Sequence, residues 1–241
     1  MKKKAEYLLS IIIVTKNSSK VVENAIDSIL LQNADDVEII IIDGKSSDST
    51  IDIIMKYKDK IDVFVSEEDR GIYDAMNKGI KHSTGKYIYF LGSDDKLLVD
   101  LKQLDKVLLD TNTIYYGDVV LKNSTIYGGI WTMEDLIFRN ICHQSIFYPS
   151  KIFMNNYYSL RYKYMADYAM NLKLWKKYKF QYINTVVAEY STDGLSSRKR
   201  DNVFRIYSPF IILRYFGLKG LYYKFTNIFK KLKLLYMTRD K

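Results

Sequence analysis

The chain has 241 residues, 48% of them hydrophobic, and a formal net charge of +9. This length and composition predict one large globular domain and exclude an intrinsically disordered protein. The single cysteine excludes an internal disulfide framework and fits a reducing compartment. The charge is uneven, because residues 203–241 hold nine basic residues and one acid and leave the preceding 202 residues almost neutral.

The first part of the sequence alternates between apolar strands and amphipathic helices. β-Branched and aromatic runs predict buried strands at 8–15, 37–43, 61–65 and in the run that ends at Gly92. Apolar residues three and four positions apart predict helices at 21–31, 50–57 and 72–82. This alternation predicts a parallel sheet with right-handed crossover connections.

The second part of the sequence has a different pattern. Its periodicity predicts helices at 97–109, 135–139 and 166–178. Strands are predicted at 113–121 and 125–131 as an antiparallel pair, at 145–148, and at 182–188 near an edge of the sheet.

Two adjacent carboxylates, Asp94 and Asp95, follow the last apolar run of the first part. Ligands of open α/β sheets collect at the carboxyl ends of strands. Successive residues of a strand point to opposite faces, so both acids reach one ligand only if the chain turns. Gly92 and Ser93 permit such a turn. We therefore expect the pair to hold a divalent cation and the sugar-nucleotide diphosphate that this cation neutralises.

The loop after the first strand limits the class of ligand. Residues 15–19 contain no glycine, which argues against a dinucleotide-binding Rossmann enzyme, and no P-loop motif occurs. Acids follow the later strands, at Asp43, Asp69 and the Asp94–Asp95 pair. Carboxylates accept hydrogen bonds from nucleoside hydroxyls and base N–H groups, whereas a diphosphate beside them needs Mg²⁺ or Mn²⁺.

Four spaced motifs, at 10–15, 43–50, 69–79 and 93–95, together resemble the N-terminal signature of family-2 glycosyltransferases. The resemblance extends over about residues 8–195 and is strongest to the bacterial branch that builds capsule, exopolysaccharide or lipopolysaccharide. It implies the α/β GT-A fold of nucleotide-diphospho-sugar transferases. In that fold a mostly parallel central sheet is flanked by helices, and here we expect a C-terminal helical tail.

The resemblance also implies roles for residues of the first part. Six of them would line the nucleotide pocket: Thr15, Asn17, Asp43, Asp69, Arg70 and Lys78. Asp43 would accept a hydrogen bond from the base. Asp69 and Arg70 would lie near the base or ribose, and Lys78 near a phosphate.

The metal and the sugar would be held around the acid pair. Asp94 would contact ribose or sugar hydroxyls, and Asp95 would ligate Mn²⁺ or Mg²⁺. Ser93 stands where the first acid of a complete Asp-x-Asp motif would be, which leaves the metal fewer carboxylates. His143 is a candidate further metal or substrate ligand, and Gln144 a candidate substrate-binding residue.

The catalytic base implied by the resemblance is Asp167, at the predicted start of a helix. An inverting transfer needs one base, which takes the proton of the acceptor hydroxyl. Ala166 stands where many relatives have an additional acid, so the assignment depends on Asp167 alone. A loop containing Ser196, with Arg198 nearby, would close on the diphosphate.

The predicted organisation is a transferase body at 1–200 and a basic amphipathic tail at 201–241. The body would have a nucleotide-binding half, about 1–96, and an acceptor half, about 97–200. The expected activity is metal-dependent, inverting transfer of a hexosyl-type sugar from a UDP- or GDP-sugar to a glycan or polyprenyl-linked acceptor. The alternatives are a sugar-nucleotide or nucleic-acid binding protein without catalysis, and a sugar nucleotidyltransferase.

The tail interleaves aromatic and aliphatic residues with Lys and Arg. This composition is compatible with single-stranded nucleic acid, with an anionic membrane surface, or with packing onto the body. We expect membrane-surface contact and no nucleic acid, because the acceptors of such enzymes are often lipid-linked. The predicted location is therefore the cytoplasm, at the inner face of the cell membrane.

Overall fold

The computed structural model describes residues 7–191 and 201–237, with only the backbone for 227–237. Nine strands form its sheet: β1 (Leu9–Thr15), β2 (Val37–Asp43), β3 (Val63–Ser66), β4 (Tyr87–Gly92), β5 (Lys96–Leu97), β6 (Thr113–Leu121), β7 (Ile126–Tyr127), β8 (Ile146–Pro149) and β9 (Lys179–Tyr190). The described α-helices are α1 (Val22–Leu30), α2 (Thr50–Met55), α3 (Ile72–His82), α4 (Met133–Phe138), α5 (Ala166–Trp175) and α6 (Asn202–Met237). Short 3₁₀ helices lie at Lys58–Lys60, Leu101–Lys106, His143–Ser145 and Ser150–Met154.

The strand order is β3-β2-β1-β4-β8-β6-β9-β5, with β7 paired to β6. The first four strands are mutually parallel, as the alternating sequence predicts. β8 runs antiparallel to both β4 and β6, and β9 runs parallel to β6. Because β1 lies between β2 and β4, the order of connections reverses there, and such a switch point opens a crevice at the carboxyl ends of the strands.

The core lies on both faces of the sheet, because alternate strand residues point in opposite directions. On β1, Ile11 and Ile13 pack in the layer that contains α1, whereas Ile12 packs with α3 on the other face. All three isoleucines are completely buried. The strands of the first part are therefore apolar on both sides, which explains their continuous runs of hydrophobic residues.

The helix predicted at 97–109 is wrong. Lys96 and Leu97 instead pair with β9, and the N–H groups of Leu98 and Val99 donate to the Val187 carbonyl. Only the 3₁₀ helix follows, capped by the Asp100 side chain. Pairing with a strand about ninety residues away in sequence thus overrides the local helical pattern.

Two further strands differ in extent from the prediction. β7 has only two residues, since Gly129 follows it with a positive φ of 87° and donates its N–H to Asp118. β9 has 12 residues and lies between β6 and the short β5, so it is next to the sheet edge as expected.

The last helix begins on the body. Asp201 caps it by accepting from the Phe204 N–H, and its second oxygen accepts from the Tyr164 N–H. Phe204 packs against Tyr162 and Tyr168. Within the described part of the chain, no helix is sufficiently long and apolar to cross a membrane.

Candidate active site

The carboxyl ends of β1, β2 and β3 place Thr15, Asp43 and Ser66 side by side in register. Asp43 is completely buried. Its Oδ2 accepts from the Ser66 hydroxyl at 2.7 Å and from the Ser46 N–H at 2.9 Å, and its Oδ1 accepts from the Ser46 hydroxyl. The carboxylate therefore holds the loop after β2 against β3, and its contact with a nucleotide base stays a prediction.

The loop after β1 is joined to the same region. The Asn17 side chain accepts from the Ser47 N–H at 2.9 Å, and the Asn17 N–H donates to the Ser46 hydroxyl at 2.8 Å. Asn17 has a positive φ of 52°, which asparagine tolerates better than most residues. Thr15 is 5% exposed, and its buried hydroxyl has no hydrogen-bond partner among the residues described.

Asp69 lies over Gly44, at the start of the loop after β2. A Cβ at Gly44 would overlap the Asp69 carboxylate, so this approach requires glycine. The other oxygen of Asp69 accepts from the Gly71 N–H at 2.8 Å, which fixes the side chain. Asp69 thus supplies an acid at the mouth of the crevice, close to Lys16.

The two predicted cationic residues of this region already have partners on the protein. Arg70 is mostly exposed and pairs with Asp74 at 3.3 Å. The Lys78 ammonium lies 2.9 Å from Glu67 and donates to the Glu68 carbonyl at 2.6 Å. A phosphate would compete with these contacts, so the two predicted roles stay predictions.

The acid pair sits on the turn that its sequence permits. The Asp95 N–H donates to the Gly92 carbonyl at 3.1 Å, which reverses the chain after β4. A Cβ at Gly92 would overlap an oxygen of Asp95 and come within 3.2 Å of an oxygen of Asp94. Both carboxylates therefore approach the same point above Gly92, although they are consecutive in sequence.

Hydrogen bonds from buried groups of the protein fix the Asp95 side chain. It is 2% exposed, and it accepts from the Gln144 amide and from the Ser191 N–H, both at 2.7 Å. Gln144 is itself oriented by the Cys142 thiol, which donates to its carbonyl oxygen at 2.9 Å. Gln144 is 4% exposed, so the structure places it behind Asp95 rather than in the open crevice.

The environment of Asp95 makes its negative charge costly. Burial raises the pKa of Asp95 to about 6, and the neighbouring charge of Asp94 adds to this rise. The hydrogen bonds from Ser191 and Gln144 and the proximity of His143 act in the opposite direction. A cation would offset the repulsion between two carboxylates that face one point.

These residues fit a cation that is shared with a phosphate ligand. In the described ranges no three His, Cys, Asp or Glu side chains cluster closely enough to hold a metal ion on their own. Mg²⁺ is usually held by one or two carboxylates together with substrate phosphates and water. Asp94 and Asp95 above Gly92 supply that number of carboxylates.

Ser93 connects the two loops at the switch point. Its hydroxyl lies 3.0 Å from the hydroxyl of Ser18, in the loop after β1. The residue that replaces the first acid of the motif thus joins the ends of β1 and β4.

Asp167 lies in the first turn of α5, where the helix macrodipole favours a negative charge. Its carboxylate is 6% exposed and accepts from the Tyr73 hydroxyl at 2.6 Å and from the Asn140 amide at 2.5 Å. Nδ1 of His143 lies 3.7 Å from its Oδ2. Three separate parts of the chain, around residues 73, 140–143 and 167, therefore meet at this carboxylate.

A buried chain of donors supports the Asn140 contact. Tyr148 donates to Asn171 at 2.7 Å, and Asn171 donates to the Asn140 carbonyl oxygen at 2.9 Å. This fixes the orientation of the Asn140 amide, so that its NH₂ group faces Asp167. Burial acts to raise the pKa of Asp167, but His143 and Tyr73 outweigh it and the pKa is lowered. The carboxylate is therefore ionised at neutral pH, the form that accepts a proton.

The 3₁₀ turn at His143–Ser145 brings the two acid sites together. His143 faces Asp167, and the next residue, Gln144, donates to Asp95. His143 thus lies beside the predicted base, and its role as a metal or substrate ligand stays a prediction. Ser196 and Arg198 lie outside the described residues.

Several supporting residues were missed in the sequence. Tyr73 falls inside the motif at 69–79, but nothing in the motif indicates a partner 94 residues away. Asn140 and Ser191 occur in no recognised pattern. Sequence spacing carries no signal for contacts of this kind, because they depend on how separate elements pack.

The fold is that of nucleotide-sugar transferases of the GT-A type. Residues 10–194 match the model of glycosyl transferase family 2. The chain belongs to this family and is a glycosyltransferase, as the sequence motifs predict.

Curated relatives cover most of the chain. A PGL/p-HBAD biosynthesis glycosyltransferase of Mycobacterium tuberculosis is 35% identical over 211 residues, which are 82% of each chain. An Escherichia coli enzyme, the UDP-Glc:alpha-D-GlcNAc-diphosphoundecaprenol beta-1,3-glucosyltransferase WfgD, is 24% identical over 206 residues, 80% of this chain and 81% of its own.

Solved structures with low sequence identity share the fold. TarS 1–349 of S. aureus in complex with UDP-GlcNAc superposes with a TM-score of 0.70 at 16% identity, covering 90% of this chain and 70% of that one. The mannosyltransferase PcManGT of Pyrobaculum calidifontis, in complex with GDP-Man and Mn²⁺, gives a TM-score of 0.61 at 16% identity, covering 90% and 65%. The predicted GT-A fold is confirmed.

Proposed function

We propose that the protein transfers a sugar, with inversion, from a nucleoside-diphosphate donor to a glycan or polyprenyl-linked acceptor in cell-surface polysaccharide or glycolipid synthesis. One observation carries this proposal: the His143–Gln144 turn connects the buried base candidate Asp167 to the acid pair at the switch point. A proton acceptor and a diphosphate site are the two parts that an inverting transfer requires.

The donor would bind in the half formed by about residues 1–96. Among the residues that the structure describes, the Thr15 hydroxyl has no hydrogen-bond partner, and Asp69 offers a fixed carboxylate to the base or ribose. Asp94 would accept from ribose or sugar hydroxyls. The solved neighbours include complexes with UDP, UDP-GlcNAc and GDP-Man, which supports a UDP- or GDP-sugar.

Mn²⁺ or Mg²⁺ would be held by Asp95, with Asp94 beside it. When bound, the cation would offset the charge of the leaving diphosphate. The PcManGT complex contains Mn²⁺, which supports this choice. His143, whose Nδ1 lies 3.7 Å from Asp167, is proposed as a further metal or substrate ligand.

The chemical step needs one proton acceptor in the half formed by about residues 97–200. Asp167 would take the proton of the acceptor hydroxyl while that oxygen forms a bond to the anomeric carbon. The bond from this carbon to the diphosphate oxygen breaks on the opposite face, which inverts the configuration. No second carboxylate nucleophile is required, in contrast to retaining hydrolysis.

The relatives also support a class of acceptor and a location for the enzyme. The E. coli relative is named for a diphosphoundecaprenol substrate, and the mycobacterial relatives for PGL/p-HBAD biosynthesis. We infer a lipid-linked acceptor and a cytoplasmic enzyme at the inner face of the cell membrane. The tail, from about residue 201, would make peripheral contact with that membrane.

A product assay tests the proposal. The protein is incubated with a panel of UDP- and GDP-sugars, Mn²⁺ and polyprenyl-diphosphate-linked sugars, and the released phosphate species are measured. Release of a nucleoside diphosphate together with a new glycosidic linkage is expected. In a parallel reaction with UTP or GTP and sugar 1-phosphates, release of pyrophosphate would instead indicate a nucleotidyltransferase. Donor binding without turnover of any acceptor would favour a binding protein.

A further inference from the structure

The last helix is two helices that fold back on each other. Gly217 has φ 64° and ψ −161°, which interrupts α6. The Lys224 ammonium donates to the Ser208 hydroxyl at 2.8 Å, and a Cβ at Gly220 would come within 2.9 Å of the Ile212 side chain. In each of these two pairs, the residues are equally far in sequence from residue 216. Such pairing requires the chain to reverse, so residues 202–216 and 218–226 form an antiparallel helical hairpin.

The hairpin is fixed from within and attached to the body. Pro209 has no N–H and cannot bond the Arg205 carbonyl, but the Ser208 hydroxyl donates to that carbonyl at 3.3 Å. Ile212 is completely buried in the core layer that contains α5. The inner face of the hairpin is therefore ordinary protein core.

The outer face of the hairpin is apolar and exposed. On the first helix, Ile206 and Phe210 are each 65% exposed, and Val203, Tyr207 and Leu213 continue the same line. Their spacing of three and four residues places them on one side of the helix. Leu218, Tyr222 and Phe225 are exposed in the same way on the second helix. We call these eight residues the outer stripe.

The charge around the outer stripe has one sign. Residues 202–226, whose side chains the structure describes, contain four Lys or Arg residues and no Asp or Glu. Arg205, Arg214 and Lys219 are exposed beside the stripe. Pairing the stripe with a second copy of itself would bring like charges together, whereas an anionic surface would complement them.

The side chains also discriminate against nucleic acid. Single-stranded nucleic acids stack on aromatic rings, but half of the outer stripe is aliphatic: Val203, Ile206, Leu213 and Leu218. The ring of Tyr207 is already covered by the Arg161 guanidinium at 5.0 Å. Aliphatic and aromatic side chains flanked by Lys and Arg are the composition of an interfacial helix.

We infer that this helical hairpin docks on an anionic lipid bilayer through the outer stripe, with Arg205, Arg214 and Lys219 at the level of the headgroups. The docking itself does not depend on the proposed function. Only its biological purpose, to bring the enzyme near a lipid-linked acceptor, rests on that function. The hairpin is anchored at α5, whose first turn carries Asp167. Docking would therefore hold the acceptor half near the membrane in which a lipid-linked acceptor is embedded.

Vesicle flotation of the full chain tests the docking. The wild-type protein should float with vesicles of phosphatidylglycerol and phosphatidylethanolamine, less with pure phosphatidylcholine, and less at high salt. Ile206→Asp with Phe210→Asp should weaken binding at least about tenfold, because two apolar contacts are replaced by charges. Replacing the three flanking basic residues with Gln should weaken binding about a hundredfold.

A matched control uses exposed apolar residues on the body. Leu31 and Leu109 are 83% and 75% exposed, and Leu31→Asp with Leu109→Asp should float as the wild type does. Titration with UDP should be unchanged in all variants, which separates docking from donor binding.

Three results would overturn the inference. The first is a wild-type protein that does not float, and the second is a stripe variant that floats normally. The third is a protein whose outer stripe does not bind vesicles but instead mediates self-association or binds a single-stranded oligonucleotide.

Discussion

The two halves of the body hold their buried carboxylates in different ways. In the donor half, Asp43 accepts from Ser46, three residues away, and from Ser66 on the neighbouring strand. In the acceptor half, Asp167 accepts from Tyr73 and Asn140, 94 and 27 residues away. The predicted donor site is thus supported by the loops of adjacent strands, whereas the proposed base is held by elements that meet only in the folded protein.

This difference has a consequence for mutation. A change in the donor half should act on nucleotide binding, because its loops are supported locally. A change at the base should act on turnover and leave the donor site intact. Asp95 is an intermediate case, since its donors Gln144 and Ser191 come from the acceptor side.

The largest expected effect is that of Asp167→Asn, which tests the separation of the halves directly. Removal of a general base should lower kcat about 10²–10⁴-fold. UDP affinity, measured by calorimetry, should stay within about threefold of the wild type, because this residue lies outside the donor loops. Transfer at the wild-type rate would remove Asp167 from the mechanism.

Asp118 offers a matched control for that variant. It is also a buried acid of the acceptor half, 8% exposed, and it accepts from Tyr182 and Gly129, both at 2.7 Å. Asp118→Asn should therefore retain kcat if it folds. An equal loss of activity in both variants would point to general damage in this half.

The second effect concerns the pH dependence of stability at Asp95. Its folded-state pKa of about 6 lies above the ordinary 3.8, so the folded protein binds this proton more tightly than the unfolded chain does. The resulting stabilisation is complete below about pH 4 and is lost as the pH rises through about 6.

Urea denaturation of the wild type and of Asp95→Asn at several pH values measures this loss. Between pH 4 and pH 7, the free energy of unfolding of the wild type should fall by about 2 kcal/mol relative to the variant. Asp118→Asn again serves as the control and should follow the wild type. Parallel curves for the wild type and the Asp95 variant would contradict the prediction.

The third effect is confined to the donor half. Gly44→Ala should raise KM for the nucleotide sugar about tenfold, about 1.4 kcal/mol, with little change in kcat, because the new Cβ displaces the Asp69 carboxylate. The control is a double-mutant cycle. In an Asp69→Ala background, the Gly44 substitution should add almost nothing. Additive losses would mean that Gly44 acts through another contact.

The smallest expected effect is on the stability of the last helix, and it should leave the function of both halves unchanged. Gly217→Ala places an L-residue at φ 64°, which costs about 1–2 kcal/mol of folding free energy, although no atom lies within 4 Å of the new Cβ. Leu218→Ala, at the neighbouring exposed position, should change stability by less than about 0.5 kcal/mol. UDP binding should be unchanged in both variants. Equal stability of the two variants would argue against a strained turn at this glycine.

Local sequence patterns predict the fold of the first 96 residues well. Its four parallel strands, three helices and strand-end acids follow from local periodicity, because a strand buried on both faces needs a continuous apolar run. The turn at Gly92–Asp95 was also predictable, since two adjacent acids reach one ligand only if the chain reverses.

The remaining features form only through long-range packing in the folded protein. Residues 96–99 pair with β9 instead of forming a helix, Tyr73 and Asn140 converge on Asp167, and α6 folds back at Gly217. Each of these depends on partners distant in sequence, or on a single backbone conformation that glycine permits but does not require. Local patterns carry no information about such contacts, because they form only when separate elements pack together.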